Sequence, residues 1–347
     1  MASDGQVAAM AGDGDVPLPD YGDSVSVLPS NTPLTRKNLA CLNAALNGCD
    51  QDDDMDSAYL FDVDSEDTMK KFSTTTHSSF ERRAYGNGIL NPTVSPPPPD
   101  YSIIQNHLTQ RRTSTQPSET TNRQLGNAVT KSYNEQGTAF CVQSYMMKDY
   151  NLSDARYGRA FGRAVTETPS QDFNNGLSDP LPDILEGLYT EALPNHLQNN
   201  TLHATSTGSL SFCHFATEFK RTNGNLHQAT VQAAYDGAVL VNARDRALSQ
   251  ARVAGGQDAA AIDKAAKETA VFTCVTDGTV AEVFAHHSLD GQYYQNLVAR
   301  ESLLDYPNRG RELIRNTQDY ARSKSYKLAD LLGANLKEEE EEEKELE

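Results

Sequence analysis

The sequence predicts an α/β fold, a mixed sheet flanked by helices, with an acidic segment expected to be disordered at each end. Three observations carry that expectation. Residues 209–220, SLSFCHFATEFK, alternate with the period of two that a strand imposes. Residues 226–251 form a long helical run rich in alanine and glycine, which lets a helix lie close on a sheet. Residues 271–288 are two β-rich runs joined by Asp277-Gly278, a dipeptide that predicts a hairpin with a type I′ turn. Helices alternating with strands in this order point to a layered α/β sandwich.

Taken along the chain, residues 39–46 are the single apolar patch near the start and suit a brief helix. SFERRAYGNGILNP (79–92) reads as a docking segment, Pro96 to Pro99 as a polyproline spacer, and 109–124 as polar linker with little to bury. Regular patterning begins near residue 130. Glu135, Ala139, Val142 and Met146 recur on one helical face, which sets a carboxylate beside an apolar stripe. Ser153 or Asp154 is predicted to cap a second helix ending near Val165. FNNGLSDPLPDILEGL (173–188) mixes turn residues with Ile184, Leu185 and Leu188. In the strand that follows, Leu210, Phe212, His214, Ala216, Glu218 and Lys220 are predicted to share one face. The turn Asn223-Gly224-Asn225 leads into the long helix, where Gln228, Gln232, Tyr235 and Val239 fall together. A last helix over 309–332 is predicted to stop at Gly333 as a C-cap. The organisation expected is therefore 1–75 acidic and disordered, 76–128 linker with docking segments, 129–333 folded domain and 334–347 acidic tail.

Charge agrees with that division. The chain of 347 residues carries 48 acidic and 30 basic side chains, a net charge of −18. Residues 1–67 hold 14 acids against 2 bases, and 337–347 hold 8 glutamates against 2 lysines, so 68–336 are neutral with 26 of each. The acidity belongs to the ends, and it does not exclude a nucleic-acid partner for the middle. Acidic blocks with few aromatics cannot bury enough apolar surface to offset chain entropy. No secretory signal is read at the start and no run approaches the ~20 apolar residues that span a bilayer, so an intracellular protein of cytoplasm or nucleus, without a membrane, is expected. Five cysteines without a C-x-x-C spacing argue against a disulfide framework or a zinc ribbon.

One constellation could do chemistry. Pro182-Asp183 is followed by Glu218-Phe219-Lys220 at the end of a predicted strand, which offers two carboxylates and an ammonium. Metal-assisted phosphodiester hydrolysis needs oxygen ligands for a hard cation and a positive group for the water or the developing charge. Glu-x-Lys meets that need because a spacing of two puts both side chains on one face of a strand. Other candidates read as structure. His286-His287 face opposite sides of a strand, and His214 reads as a satisfied, partly buried histidine. Arg244 and Arg246 suit contact with backbone phosphate and an exposed helical face equally well, Arg82-Arg83 and Arg111-Arg112 suit a solvated linker, and Asp277-Gly278 turn chemistry.

The order of Glu135 on a helix, Pro182-Asp183, Glu218-x-Lys220 and Gln232 on the next helix resembles the PD-(D/E)XK (restriction-endonuclease-like) phosphodiesterase superfamily. FNNGLSDPLPDILEGL, HFATEFK, QAAYDGAVLVNARDRAL, VFTCVTDGTVAEVFAHHS and NTQDYARSKSYKL resemble more closely a family of uncharacterised fungal proteins with that nuclease-like core. The resemblance spans roughly 79–332. It implies that Asp183 and Glu218 hold Mg²⁺, or Mn²⁺, with help from the Phe219 carbonyl. It implies that Lys220 orients water or stabilises the transition state, that Glu135 is the upstream helix acid, and that Gln232 meets Lys220 or the phosphate. Gln232 and Tyr235 are three apart rather than the four of some related enzymes, so no role passes to Tyr235. The expected function is a Mg²⁺-dependent nuclease or phosphodiesterase acting on DNA or RNA. The alternative is a non-catalytic interaction or effector-type module that retains the fold, suggested by the absence of a strong basic stripe.

Overall fold

The computed structural model describes residues 79–113, 116–150, 154–161, 177–178, 180–193, 210–253 and 259–346. All belong to the second of two compact units, Met69–Glu347. The acidic N-terminal region and the patch at 39–46 lie outside the described residues.

In chain order the elements are α1 (Phe80–Gly86), β1 (Ile89–Leu90), α2 (Tyr101–Leu108), α3 (Glu119–Thr130), α4 (Glu135–Tyr145), β2 (Tyr157–Phe161), β3 (Ile184–Tyr189), a short 3₁₀ turn (Thr190–Ala192), β4 (Leu210–Phe219), α5 (Leu226–Val253), α6 (Ala259–Lys267), β5 (Val271–Thr276), β6 (Val280–Leu289), β7 (Gln292–Ser302) and α7 (Pro307–Leu346). The strands make one mixed seven-stranded sheet in the order β1-β7-β6-β5-β4-β3-β2. β2, β3 and β4 run antiparallel, α5 carries the chain over to β5 parallel to β4, and β5, β6 and β7 run antiparallel again.

Burial explains the layers. β5, a central strand, is buried on both faces. Phe272 and Cys274 enter the largest core cluster with Leu313, Ile314 and Ala321 of α7. Val275 faces the other way and packs with Ala229 and Ala233 of α5. The small residues of α5 let its backbone come close: a methyl group added at Gly237 would lie 2.1 Å from His286 Nδ1 on β6. Ends are set locally. Asn225 Oδ1 accepts the Gln228 N–H at 3.2 Å to open α5, and Asn134 Oδ1 accepts the Gly137 N–H at 2.8 Å to open α4. At the far end of α4, Arg311 Nε donates to the Tyr145 carbonyl, and Arg315 donates to those of Met146 and Met147. Guanidinium groups of α7 thus cap the helix that carries Glu135.

Several sequence expectations change. Residues 79–128 are part of the domain and not a linker: β1 extends the sheet beside β7, and Ile104, Leu108, Leu125 and Val129 are fully buried. Each of α2 and α3 contributes one i, i+4 apolar pair, too sparse a pattern to register against polar surroundings. Salt bridges from Arg111 to Glu312 and from Arg112 to Asp319 pin the stretch expected to be solvated. The polyproline spacer lies along β7, with Asn296 Nδ2 donating to the carbonyls of Ser95 and Pro96. Residues 157–161 are strand β2 and not the helix predicted after Asp154; Asp154 instead joins Arg322 and Tyr326 of α7.

The hairpin at 277–280 exists, but its turn is not type I′. Positive φ occurs at Gly278 alone, Thr276 pairs with Ala281, and Asp277 Oδ1 accepts the N–H groups of Thr279 and Val280. The two-residue turn with both φ positive is Asp290-Gly291, at 52° and 75°, and it introduces β7. In β4, Phe212 has φ +48° and the pairing with β3 shifts between Glu186 and Leu188. This bulge turns Phe212 toward Leu328 and Leu332 of α7 and Cys213 toward Leu240 and Val241 of α5, so the predicted shared face holds only beyond the bulge. Finally, α7 runs to Leu346, past the stop predicted at Gly333. The glycine costs a helix about 1 kcal/mol, and the Glu, Lys and Leu residues that follow are good helix formers.

Candidate functional site

The site lies where the start of β3 meets the end of β4. Ile184 pairs with Thr217, so the residue before β3 stands opposite Glu218. Asp183 occupies that place, and its Oδ2 accepts the Phe219 N–H at 2.8 Å. Pro182 before it has no N–H to lose and fixes the backbone entering the strand. Glu218 pairs with Val275 of β5, whose side chain faces α5, so the site is on the α5 side of the sheet.

Glu218 and Lys220 are both almost wholly buried. Lys220 Nζ donates to the Phe219 carbonyl at 3.0 Å and lies 3.9 Å from Glu218 Oε2 and 3.5 Å from Glu135 Oε1. Glu135 is half exposed in the first turn of α4, so it comes to the ammonium from the solvent side. The last turn of α3, just before α4, is tied to the loop after β4 by Thr222 Oγ1, which donates to the Val129 carbonyl. Four of the five residues singled out in the sequence, Glu135, Asp183, Glu218 and Lys220, are therefore brought together. Gln232 is partly buried on α5. The Phe219 carbonyl, expected beside a metal, accepts the lysine.

A further group emerges that the sequence reading passed over. Asp236 on α5 is 4% exposed and hydrogen-bonded to Glu218. It sits one helical turn beyond Gln232, and its spacing of eight from Gln228 puts it on the same face as the residues picked out by periodicity.

Electrostatics reflect the crowding. Burial pushes the Glu218 carboxyl well above the usual carboxylate range, and the neighbouring charges of Asp236 and Asp183 push it further, against the pull of Lys220. Burial raises Asp236 to about 7, with Asp183 adding to the rise while the hydrogen bond from Glu218 and the Lys220 charge oppose it. Two buried carboxyl groups in contact cannot both ionise cheaply.

That donor set suits a hard divalent cation in kind: three carboxylates within electrostatic reach of one another, and a buried Asp236 Oδ2 with no hydrogen-bond partner. The carboxylates are not already gathered around a common point. Among the described residues no group of three His, Cys, Asp or Glu side chains has the arrangement to grip a metal ion.

The remaining candidates have structural partners. His286 Nε2 is 2.8 Å from Thr273 Oγ1, and burial lowers its pKa to about 3, so it is a neutral seat for α5 at Gly237. His287 stacks on Tyr294. His214, lowered to about 4 by burial, donates from Nδ1 to the Phe212 carbonyl and closes the bulge. Arg244 is buried and donates to the Ala265 carbonyl, which removes it from the exposed face expected for it. Among the described residues, Cys141, Cys213 and Cys274 are free thiols.

No helix among the described residues is long and apolar enough to cross a membrane. No curated protein and no solved structure matches the chain. A family model described as a domain of unknown function (DUF7924) matches residues 126–322, which run from the end of α3 into α7 and include every residue of the site. As the match covers more than half of the chain, the protein belongs to the DUF7924 family.

Proposed function

We propose that this chain is a divalent-cation-dependent phosphodiesterase of the PD-(D/E)XK type that hydrolyses nucleic acid. The observation that carries the reading is the meeting of Asp183, Glu218 and Lys220 at neighbouring strand ends, with Glu135 touching the same ammonium. Residues 35 apart in sequence become neighbours through the β3–β4 pairing, in the order that first suggested the superfamily.

In this reading Asp183 and Glu218 hold Mg²⁺ or Mn²⁺. When bound, the cation supplies Lewis-acid activation of the scissile phosphate and acidifies a water. The protein's own groups do the rest. Glu135 and Glu218 flank the Lys220 ammonium, which places a positive group for the attacking oxygen or the charge that grows on phosphate. Gln232, half-buried on α5, presents an amide to the substrate from the helix side.

Incubating the full chain with single- and double-stranded DNA and RNA in Mg²⁺ or Mn²⁺ tests the reading. Cleavage is expected with at least one of these substrates and is lost in Glu218→Ala. A second reading, a non-catalytic module that keeps the fold, draws on one specific observation: the buried Glu218 and Asp236 carboxyl groups lie against each other. It predicts an intact fold, no cleavage of any of these substrates and no binding of Mg²⁺ at millimolar concentration.

A further inference from the structure

We propose that the mouth of this site binds an unpaired nucleic-acid strand, with Tyr133 stacking on a base and Lys131 and Arg221 holding phosphates beside it. The proposal rests on the phosphodiesterase reading for its location and deepens it by naming single-stranded nucleic acid, not duplex, as the substrate.

Tyr133 is placed to meet a ligand. It stands two residues before Glu135, which reaches the Lys220 ammonium from the solvent side at 3.5 Å. At 88% it is the most exposed large hydrophobic residue among those described. The turn beneath it is fixed, since Ser132 Oγ donates to the Asn134 carbonyl at 3.1 Å and Asn134 caps α4. Tyr133 therefore precedes the N-cap, a position from which an apolar side chain often folds back on the fourth residue of the helix. That residue is Thr138, fully buried and bonded to the Asn134 carbonyl, and the exposed ring does not pack there. A lone exposed apolar side chain is ordinary on a protein surface. What sets this one apart is the charge around it.

Lys131 and Arg221 are both exposed, and neither has an ion-pair partner among the described residues. They stand on two segments that Thr222 joins by donating to the Val129 carbonyl. Across 131–136 and 221–225 the one acid is Glu135, and it is engaged with Lys220. Asp277, which borders this rim through the Asn223 N–H, is buried and also accepts the N–H groups of Thr279 and Val280. The rim thus offers a polyanion two unengaged cations and an aromatic ring on a rigid turn. Single strands are bound in this way, because cations track the backbone and every base has a π-face on which a ring can stack. In a duplex the faces of each internal base are covered by its neighbours. A ring on this rim finds a free face only where the strand is unpaired.

The chain has no tryptophan, so Tyr133→Trp places a single indole on the rim as a reporter. The experiment measures binding of the full chain, in EDTA to prevent hydrolysis, to labelled single-stranded DNA, single-stranded RNA, the matching duplexes and an abasic DNA strand. Wild type is expected to bind a base-bearing single strand more tightly than its duplex, and the DNA and RNA arms show which sugar it prefers. Tyr133→Ala should melt as wild type does, bind that strand about fivefold or more weakly, and bind the abasic strand unchanged. Tyr133→Trp should restore binding, with its fluorescence quenched by the base. Lys131→Ala combined with Arg221→Ala should weaken base-bearing and abasic strands alike and flatten the salt dependence. Duplex bound as tightly as single strand, Tyr133→Ala binding like wild type, a Tyr133→Ala loss that is equal on the abasic strand, or no strand binding at low salt overturns the proposal. Strand binding that depends on Tyr133 in a protein that cleaves nothing in Mn²⁺ upholds the proposal and refutes the phosphodiesterase reading. Cleavage by a protein whose strand binding ignores Tyr133 refutes the proposal and leaves that reading standing.

Discussion

Replacing Gly237 with alanine tests how α5 is held over the site. In an ordinary helix the change favours folding by about 1 kcal/mol, because glycine carries the larger loss of backbone freedom. Here the new methyl carbon would lie 2.1 Å from His286 Nδ1, 2.3 Å from Cε1 and 2.4 Å from Cγ. Relief requires a shift of more than an ångström, and His286 has nowhere to go: it is 2% exposed and held to Thr273 at 2.8 Å. Overpacking of this kind costs about 1–3 kcal/mol, and breaking the histidine bond adds about 1 kcal/mol. The net loss is about 1–3 kcal/mol, a fall in melting temperature of about 2–10 °C for a domain of this size. Thermal and urea unfolding followed by circular dichroism measure it. Adding His286→Ala should recover much of the loss, since the ring and the methyl group compete for one space and the two changes couple. A Gly237→Ala protein more stable than wild type, or a double variant whose losses simply add, would refute the close approach of α5 to β6.

The other predictions concern charge. Arg159→Leu leaves Glu186, which is fully buried, without the guanidinium that donates to it at 3.0 and 2.7 Å, and should cost about 3–5 kcal/mol in urea unfolding; adding Glu186→Gln should restore much of it by removing the stranded charge. The raised Glu218 and Asp236 carboxyl groups bind a proton in the folded state that the unfolded chain has released, so their contribution is fully present below about pH 4 and is lost as pH rises through about 7. Glu218→Gln should therefore gain on wild type more at pH 8 than at pH 5 in metal-free buffer, and equal pH profiles would contradict the raised carboxyl groups. His214 and His286 act in the opposite sense. Held neutral with lowered pKa values, they stabilise fully above about pH 6.5 and less as pH falls toward about 4, so Thr273→Val, which removes the His286 partner, should destabilise at pH 7.

How much of this was legible in the sequence differs by element, for physical reasons. The site's strand was readable because Glu218 and Lys220 lie beyond the bulge, where the period of two is intact. Phe212 and Cys213 lie within it, and a bulge leaves no mark in apolar alternation. The long helix was readable from its small residues, whereas α2 and α3 were not, since each rests on one apolar pair and the stretch between them is held by salt bridges to α7 residues that become neighbours only on folding. Asp290-Gly291 and Asp277-Gly278 are the same dipeptide. The first makes the type I′ turn and the second a four-residue loop, because the Asp277 side chain takes the backbone N–H groups that follow it. Asp236 was on the correct face by arithmetic, but its importance depends on standing opposite Glu218, a contact made by the packing of α5 on β4 and β5.

The central claim is that Asp183, Glu218 and Lys220 form a working phosphodiesterase site. Its most direct measurement is single-turnover cleavage of nucleic acid in Mn²⁺ by wild type and by Lys220→Met, with folding of both verified by circular dichroism. The account predicts cleavage by wild type, abolished by EDTA, and a loss of at least a hundredfold in the folded variant. Cleavage by Lys220→Met at the wild-type rate, or no cleavage by a wild type that is folded and supplied with metal, would contradict it.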